Sequence, residues 1–354
     1  MRALWLVCLC LVSACEAPAA PPRARAARAT PEPDSGAAPE RRGALPMAVP
    51  RALPAPADGV DFARLVFPGT ELRHDRILRT LLTAGALSFK PVGSTSTVFQ
   101  TRLAGGIDGA FKAVTRARPR GPASEVAAYR VGRCLGLHNV APAVSRSFPA
   151  SQLRAQLREQ DRGAWPEIRE RLGVGDDGLV RGAMIYWIED LTDVGVDGPR
   201  GIGRWSRWLG ADSVVPGSRR ALVASVSTTN AFDYLIGNFD RYSGSNAKGD
   251  PAHTRVYLRD HDMAFPPRLD EARHRKLMRW LLRTERFSRS FYARLRGLSR
   301  ECVERELARD PGGVPGALVG KASLDGVFER RRILLSHIES LVRLHGYHRV
   351  LPFE

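Results

Sequence analysis

The order in which hydrophobic periodicity changes along this chain constrains its fold more than any one residue does. Two short apolar runs, 97–103 and 109–114, flank the Gly105-Gly106 turn signal and predict strands. Residues 140–144 and 183–188 predict two more. Ile77, Leu78, Leu81 and Leu82 recur at helical spacing, and 125–135 predicts a helix that stops at Gly136. Beyond residue 215 the balance reverses. Helices are predicted over 219–236, 271–283, 287–308 and 322–345, with a single strand at 255–259. A strand-rich half holding one helix, then a helix-rich half, implies an α+β chain of two lobes, 59–190 and 191–354.

The first 58 residues belong to neither lobe. A positive start at Arg2, an apolar stretch over 3–12 and small residues before Cys15 have the form of a leader, 1–15. Small residues directly before a cysteine resemble the lipoprotein cleavage box, which makes Cys15 the lipidation site; an ordinary secretory signal is the other reading. Either one predicts export, the lipoprotein version to a bacterial cell envelope. Residues 16–58 hold 10 prolines, 14 alanines and no aromatic side chain. Such a segment buries too little apolar surface to offset its ordering entropy and predicts a disordered tether. Leader and tether carry only +2 of the net +17, so the positive charge lies on the folded part. No apolar run approaches the ~20 residues of a membrane-spanning helix. Three of the five cysteines fall in the leader, which excludes a disulfide-built scaffold.

Only five of the 54 cationic residues are lysine, and Lys112 is one of them, inside the apolar run Gly109-Ala110-Phe111-Lys112-Ala113-Val114. A compact ammonium in a strand suits phosphate oxygens better than a planar guanidinium fork. A solvent-facing strand residue is the alternative, and Lys90 is the rival lysine. Glu125, at the start of the predicted helix, either pairs with Lys112 or favours the helix N-terminus through the macrodipole. The run Gly93-Ser94-Thr95-Ser96-Thr97 has the composition of a phosphate-covering turn, without a full glycine-rich motif. Farther on, the apolar helix over 230–236 breaks at Gly237 and delivers Asp240 into a polar loop, with Asn246 following. The strand at 255–259 then runs into Asp260-His261-Asp262-Met263-Ala264-Phe265. Acids at a strand end followed by an apolar turn suit a metal-holding carboxylate, and an Asp-rich surface turn is the plainer reading.

These segments resemble the Golgi casein kinase and four-jointed family of secretory-pathway atypical kinases. The likeness rests on Glu125 to Tyr129, Leu135-Gly136-Leu137, Val140 to Val144 and, most specifically, Asp233 to Arg241. The turn Asp260 to Phe265 is similar to that family's Asp-Asn-Gly turn and to the metal turn of type II phosphatidylinositol 4-kinases. The resemblance covers roughly 89–266. It implies a two-lobed protein-kinase-like fold with ATP in a cleft near 184–190, and Mg²⁺ or Mn²⁺ as the metal. By this resemblance Lys112 contacts the ATP phosphates and Glu125 orients Lys112 or a metal; Gly93 and Ser94, from the turn-like run read above, are further ATP-binding candidates. Asp240 is the catalytic acid and Asp260 the metal ligand, with Asn246 and Asp262 as further metal candidates. Three departures stand out. Asp262 replaces the family's glycine, Asn246 lies six rather than five residues after Asp240, and the family's cysteine pattern is absent. Only Cys134 and Cys302 are left to pair, and Cys134 also suits a small core residue.

The implied reaction is transfer of the ATP γ-phosphate to a hydroxyl of a protein or glycan, with a lipid or sugar acceptor as a variant. A kinase fold reused as a non-catalytic, lipid-anchored adaptor for an anionic partner is the competing reading, because ATP is scarce outside the cytoplasm. Residues 268–300 hold eleven cations against three acids. They are read either as a solvated face or as a basic face for an acidic substrate or lipid headgroups. No nucleic-acid motif is present, the histidines show no metal spacing, and Gly173 to Gly178 predicts a surface turn.

Overall fold

Helix α1 (His74–Thr83) precedes a hairpin of β1 (Ala86–Val92) and β2 (Val98–Leu103), and β3 (Asp108–Ala113) follows. After α2 (Gly121–Cys134) come β4 (Ala143–Pro149), the short helices α3 (Ala150–Ala155) and α4 (Trp165–Arg171), and β5 (Leu179–Tyr186). The five strands form one antiparallel sheet in the order β1-β2-β3-β5-β4. This is a computed structural model, describing residues 62, 64–93, 96–243, 246–310 and 318–354. The leader, the tether, Cys15 and Ser94 lie outside the described residues.

Past the sheet, β6 (Thr192–Asp193) and β7 (Lys248–Gly249) form a two-stranded ribbon, and α5 (Gly198–Trp208) and α6 (Arg220–Ile236) lie between them in the sequence. Helices α7 (Glu271–Leu281), α8 (Arg289–Gly297), α9 (Arg300–Ala308), α10 (Lys321–His345) and α11 (Tyr347–Val350) complete the chain. No described helix is long and apolar enough to cross a membrane.

Alternation in the strands divides the core. Phe89, Phe99, Phe111, Phe148 and Met184 pack on one face of the sheet, with Phe111 and Phe148 edge to face at 4.9 Å. A second cluster joins α2 to the helical half through Tyr129, Phe232, Phe265 and Leu334. Helix α2 is thus shared: it lies against β4 and β5 while its apolar residues belong to the helical core.

Three local expectations are corrected. Helix α2 starts at Gly121, four residues earlier than predicted, with Pro122 supplying the fixed φ suited to a first turn. The predicted helix 287–308 is two helices. Ser299 ends the first run by capping the second, its Oγ accepting from Cys302 N–H at 3.1 Å. The segment 255–259 is no strand; it makes isolated bridges, Gly249 to Val256 and Val140 to Leu258. The alternation was real, but its partners are single positions and no ladder extends. Cys134 and Cys302 form a disulfide between α2 and α9, with Cα atoms 6.2 Å apart.

Candidate active site

Strand β3 sends Phe111 into the sheet core and Lys112 to the opposite face, as its two-residue period requires. There the Lys112 Nζ lies 2.6 Å from Glu125 Oε1, 2.8 Å from Asp260 Oδ1 and 3.5 Å from Asp262 Oδ2. The early start of α2 matters here. Glu125 sits past the first turn, too far along to serve as a helix-start charge, and it faces the strand. Burial alone would depress the Lys112 ammonium, but Glu125, Asp260 and Asp262 outweigh it and hold its pKa above the ordinary lysine range. Glu125 is the mirror case. Burial raises its carboxyl, while Lys112 and His261 pull it well below the usual range. The rival Lys90 is exposed on β1.

Asp260 to Phe265 form a strained turn. Asp260 and Phe265 both have left-handed backbone, with φ of 59° and 55°. The Phe265 N–H donates to the Ile236 carbonyl, which fastens the turn to the end of α6. His261 N–H donates to Glu125 Oε2 at 2.9 Å, so one carboxylate holds both Lys112 and the turn. Asp262 receives Arg118 Nη1 at 2.5 Å.

Helix α6 ends as its glycine predicts: Gly237 is left-handed with φ 74°, and the Asn238 N–H closes back on the Asp233 carbonyl. The loop beyond is pinned by Arg241, a residue sequence reasoning missed. Its fully buried guanidinium is bidentate to Asp233, with Nε to Oδ2 at 2.7 Å and Nη2 to Oδ1 at 3.0 Å. It also donates to the carbonyls of Arg259 and Asn246, and Nη2 meets His261 Nε2 at 3.1 Å. A guanidinium only donates, so Nε2 accepts and the ring proton of His261 sits on Nδ1, toward Glu125. One signal did exist in the sequence. Asp233 lies in the last turn of a helix, where the macrodipole disfavours an acid unless a cation neutralises it.

Asp240 is half-buried beside Asn246, whose Nδ2 donates to the Asp240 carbonyl at 3.2 Å and approaches its Oδ2 at 3.5 Å. Arg241 therefore ties two groups into one frame: the Asp240–Asn246 loop and the Lys112–Glu125–Asp260 cluster. Among the described residues no three His, Cys, Asp or Glu side chains form a ready-made metal cage.

A cavity of about 290 Å³ opens onto this frame. Lys112, Glu125 and Asp260 line one end; Val98, Ala110, Ala141 and Ile185 through Ile188 line the rest. Gly93, left-handed at φ 80°, and Ser96 border it from the β1–β2 turn. An apolar slot ending in a lysine held by acids fits a planar base with a phosphate tail. Asp260 is the acid open to that slot, its side chain 32% exposed against 3% for Glu125 and 7% for Asp262.

Fold and cleft together define a two-lobed, protein-kinase-like architecture. The solved structures it is similar to are the Golgi casein kinase, with a TM-score of 0.59 at 16% identity over 78% of this chain and 77% of that one, and the same kinase with Mn/ADP bound, at 0.58, 15% and 78% of each chain. Hydra Fam20 with sugar matches at 0.58 and 16%, over 80% of this chain and 93% of the other. No protein-family model matches the sequence, and no curated protein is similar to it at a significant level. The resemblance read from the sequence motifs is thus present as a shared fold.

Proposed function

We propose that this chain is an atypical kinase that transfers the ATP γ-phosphate to a hydroxyl group. The observation that carries the reading is Lys112, buried in a strand, ion-paired to Glu125 and Asp260, at the end of an apolar cleft. Phosphoryl transfer needs positioned charge more than covalent chemistry, and this cluster supplies it. Lys112 is the cation for phosphate oxygens and Glu125 positions it. Asp260, with Asn246 as its neighbour across the Arg241 frame, is the acid for Mg²⁺ or Mn²⁺, and Asp262 lies close by between Lys112 and Arg118. Such cations are commonly held by one or two carboxylates plus substrate phosphates, so the lack of a complete protein cage fits. Bound ATP and its metal would supply the phosphoryl group and neutralise its charge. Asp240 receives the proton of the acceptor hydroxyl. The kinase solved with Mn/ADP supports the choice of nucleotide and metal.

An acidic protein, glycan or lipid acceptor suits the basic surface next to Asp240. On α7, Arg273 stacks over the Phe239 ring at 4.8 Å and Lys276 donates to Ser243 at 2.9 Å. Export with a lipid anchor at Cys15 completes the proposal. The Cys134–Cys302 disulfide supports an oxidising compartment, and mass spectrometry of the mature chain would reveal a lipid-modified Cys15 at its N-terminus.

One experiment separates kinase from adaptor. The purified chain is heated with ATP and Mn²⁺, then incubated with γ-labelled ATP and candidate acceptors. A kinase gains melting temperature through binding linkage and passes label to an acceptor. Asp260→Asn, close in shape, is expected to keep the fold and lose transfer. An unmoved melting temperature would leave the adaptor reading standing, and full transfer by Asp260→Asn would remove the metal assignment.

A further inference from the structure

A second and larger cavity, about 660 Å³, lies outside the cleft and has no part in the chemistry above. Its walls are the α2–β4 connection at Gly136 to Asn139, the start of α6, the Thr254-Arg255 segment and the entry to α8. Two arginines reach it from different elements. Arg294 of α8 lies against Gly136, so closely that a β-carbon there would meet the guanidinium carbon at 2.4 Å. Gly136 also has left-handed backbone, φ 66°. The absent side chain is thus what lets the guanidinium lie there. Half-buried, Arg294 makes no hydrogen bond or ion pair among the described residues. Arg255 gives its Nε to Asp250 at 3.2 Å and lines the same cavity. Their fields converge on His138, whose imidazole is held below its usual range by burial first and then by Arg255 and Arg294.

The acids nearby leave Arg294 uncompensated. Asp250 offsets Arg255 through that Nε contact and is otherwise engaged by Thr254 and the backbone of its own turn, the Glu354 side chain at the rim is committed to Arg289, and neither acid pairs with Arg294. Hydroxyl-bearing Ser225, Thr228 and Ser290 also line the cavity, together with apolar Leu135, Ala221 and Phe291. A guanidinium with no partner among the described residues, a second one lining the same cavity, hydroxyl acceptors and donors, and room for more than a bare ion describe a ligand pocket.

We propose that this cavity binds a phosphate-bearing small molecule, its phosphate held by Arg294 and Arg255. The occupant would lie against two segments that lead directly to the cleft. Gly136 to Asn139 continue α2, which carries Glu125; Thr254 and Arg255 continue through Leu258, hydrogen-bonded to Asn139 and Ala141, to Asp260.

The test is calorimetric titration of the intact chain with glucose 6-phosphate and with inorganic phosphate. Glucose 6-phosphate is expected to bind, and Arg294→Gln to weaken it by about tenfold or more. Ser290→Glu, at an exposed rim position, is expected to do the same by adding a negative charge, and it keeps the test open if Arg294→Gln does not fold. Binding of inorganic phosphate with the same dependence on Arg294 would assign the pocket to free phosphate as the source of the same chemistry. Absence of binding by both probes, or binding unchanged in both variants, would overturn the proposal.

Discussion

Lys112 is enclosed by three carboxylates within 3.5 Å, and that enclosure explains why a chain so rich in arginine keeps a lysine there. A planar fork would not fit among acids approaching one atom from three sides. The same enclosure makes the residue hard to remove. Lys112→Met would leave Glu125 buried as an unpaired anion, so we expect a loss of about 3–5 kcal/mol in urea unfolding, partly restored by adding Glu125→Gln. No restoration would mean that packing, not charge, sets the cost. His74 offers a second test. It is fully buried, with Nδ1 3.1 Å from the Tyr129 hydroxyl, and burial, then Arg133 and His138, lower its pKa from 6.5 to about 4. Between those values the unfolded chain binds more protons than the folded one. Stability should therefore fall as pH drops from about 6.5 to about 4, by about 3 kcal/mol in all, and His74→Phe should flatten the profile. A wild-type profile already flat over that range would contradict the assignment.

At the scale of elements, Gly237 shows how local sequence sets a site. Its positive φ ends α6 and turns the chain toward Asp240, while a β-carbon would meet Pro266 Cδ at 3.0 Å and the Arg330 guanidinium carbon at 3.3 Å. Gly237→Ala is expected to cost about 1–2 kcal/mol and to lower transfer through a displaced loop, measured by denaturant melts and labelled ATP side by side. This helix stop was legible because glycine after an apolar helix has a local cause. The break at Ser299 was not legible, since helical periodicity runs on through it and only the cap hydrogen bond shows the division. Nor was the 255–259 segment, where alternation does not say whether a partner strand exists. Lys112 and Asp260 were readable as candidates from residue type and neighbours. For Arg241 only the acid at Asp233 gave a local signal, because its other partners, the Arg259 carbonyl and His261, come from a separate stretch of chain.

For the molecule as a whole, the shared helix α2 and its disulfide hold the strand-rich and helical halves in register. Cys134 and Cys302 are 168 residues apart, so the bond closes a long loop of the unfolded chain. On the chain-entropy relation Cys302→Ser should cost about 5 kcal/mol, read as a lower melting temperature, and a reductant should reproduce the shift in the native chain. A variant melting like the native chain would show that the unfolded state is already compact.

What the sequence determined by itself is local: strands before helices, a glycine stop before Asp240, a lysine in an apolar strand, acids ahead of Phe265. Each follows from periodicity or from the conformational range of one residue type. What only the tertiary structure decided is which of these meet. The Lys112–Asp260 contact spans 148 residues, Glu125 proved to be a partner and not a cap, and Arg241 emerged as the tie between two loops. Periodicity records which face of an element is apolar. It carries no record of the distance between two polar groups on different elements, and that distance sets the electrostatics of the site.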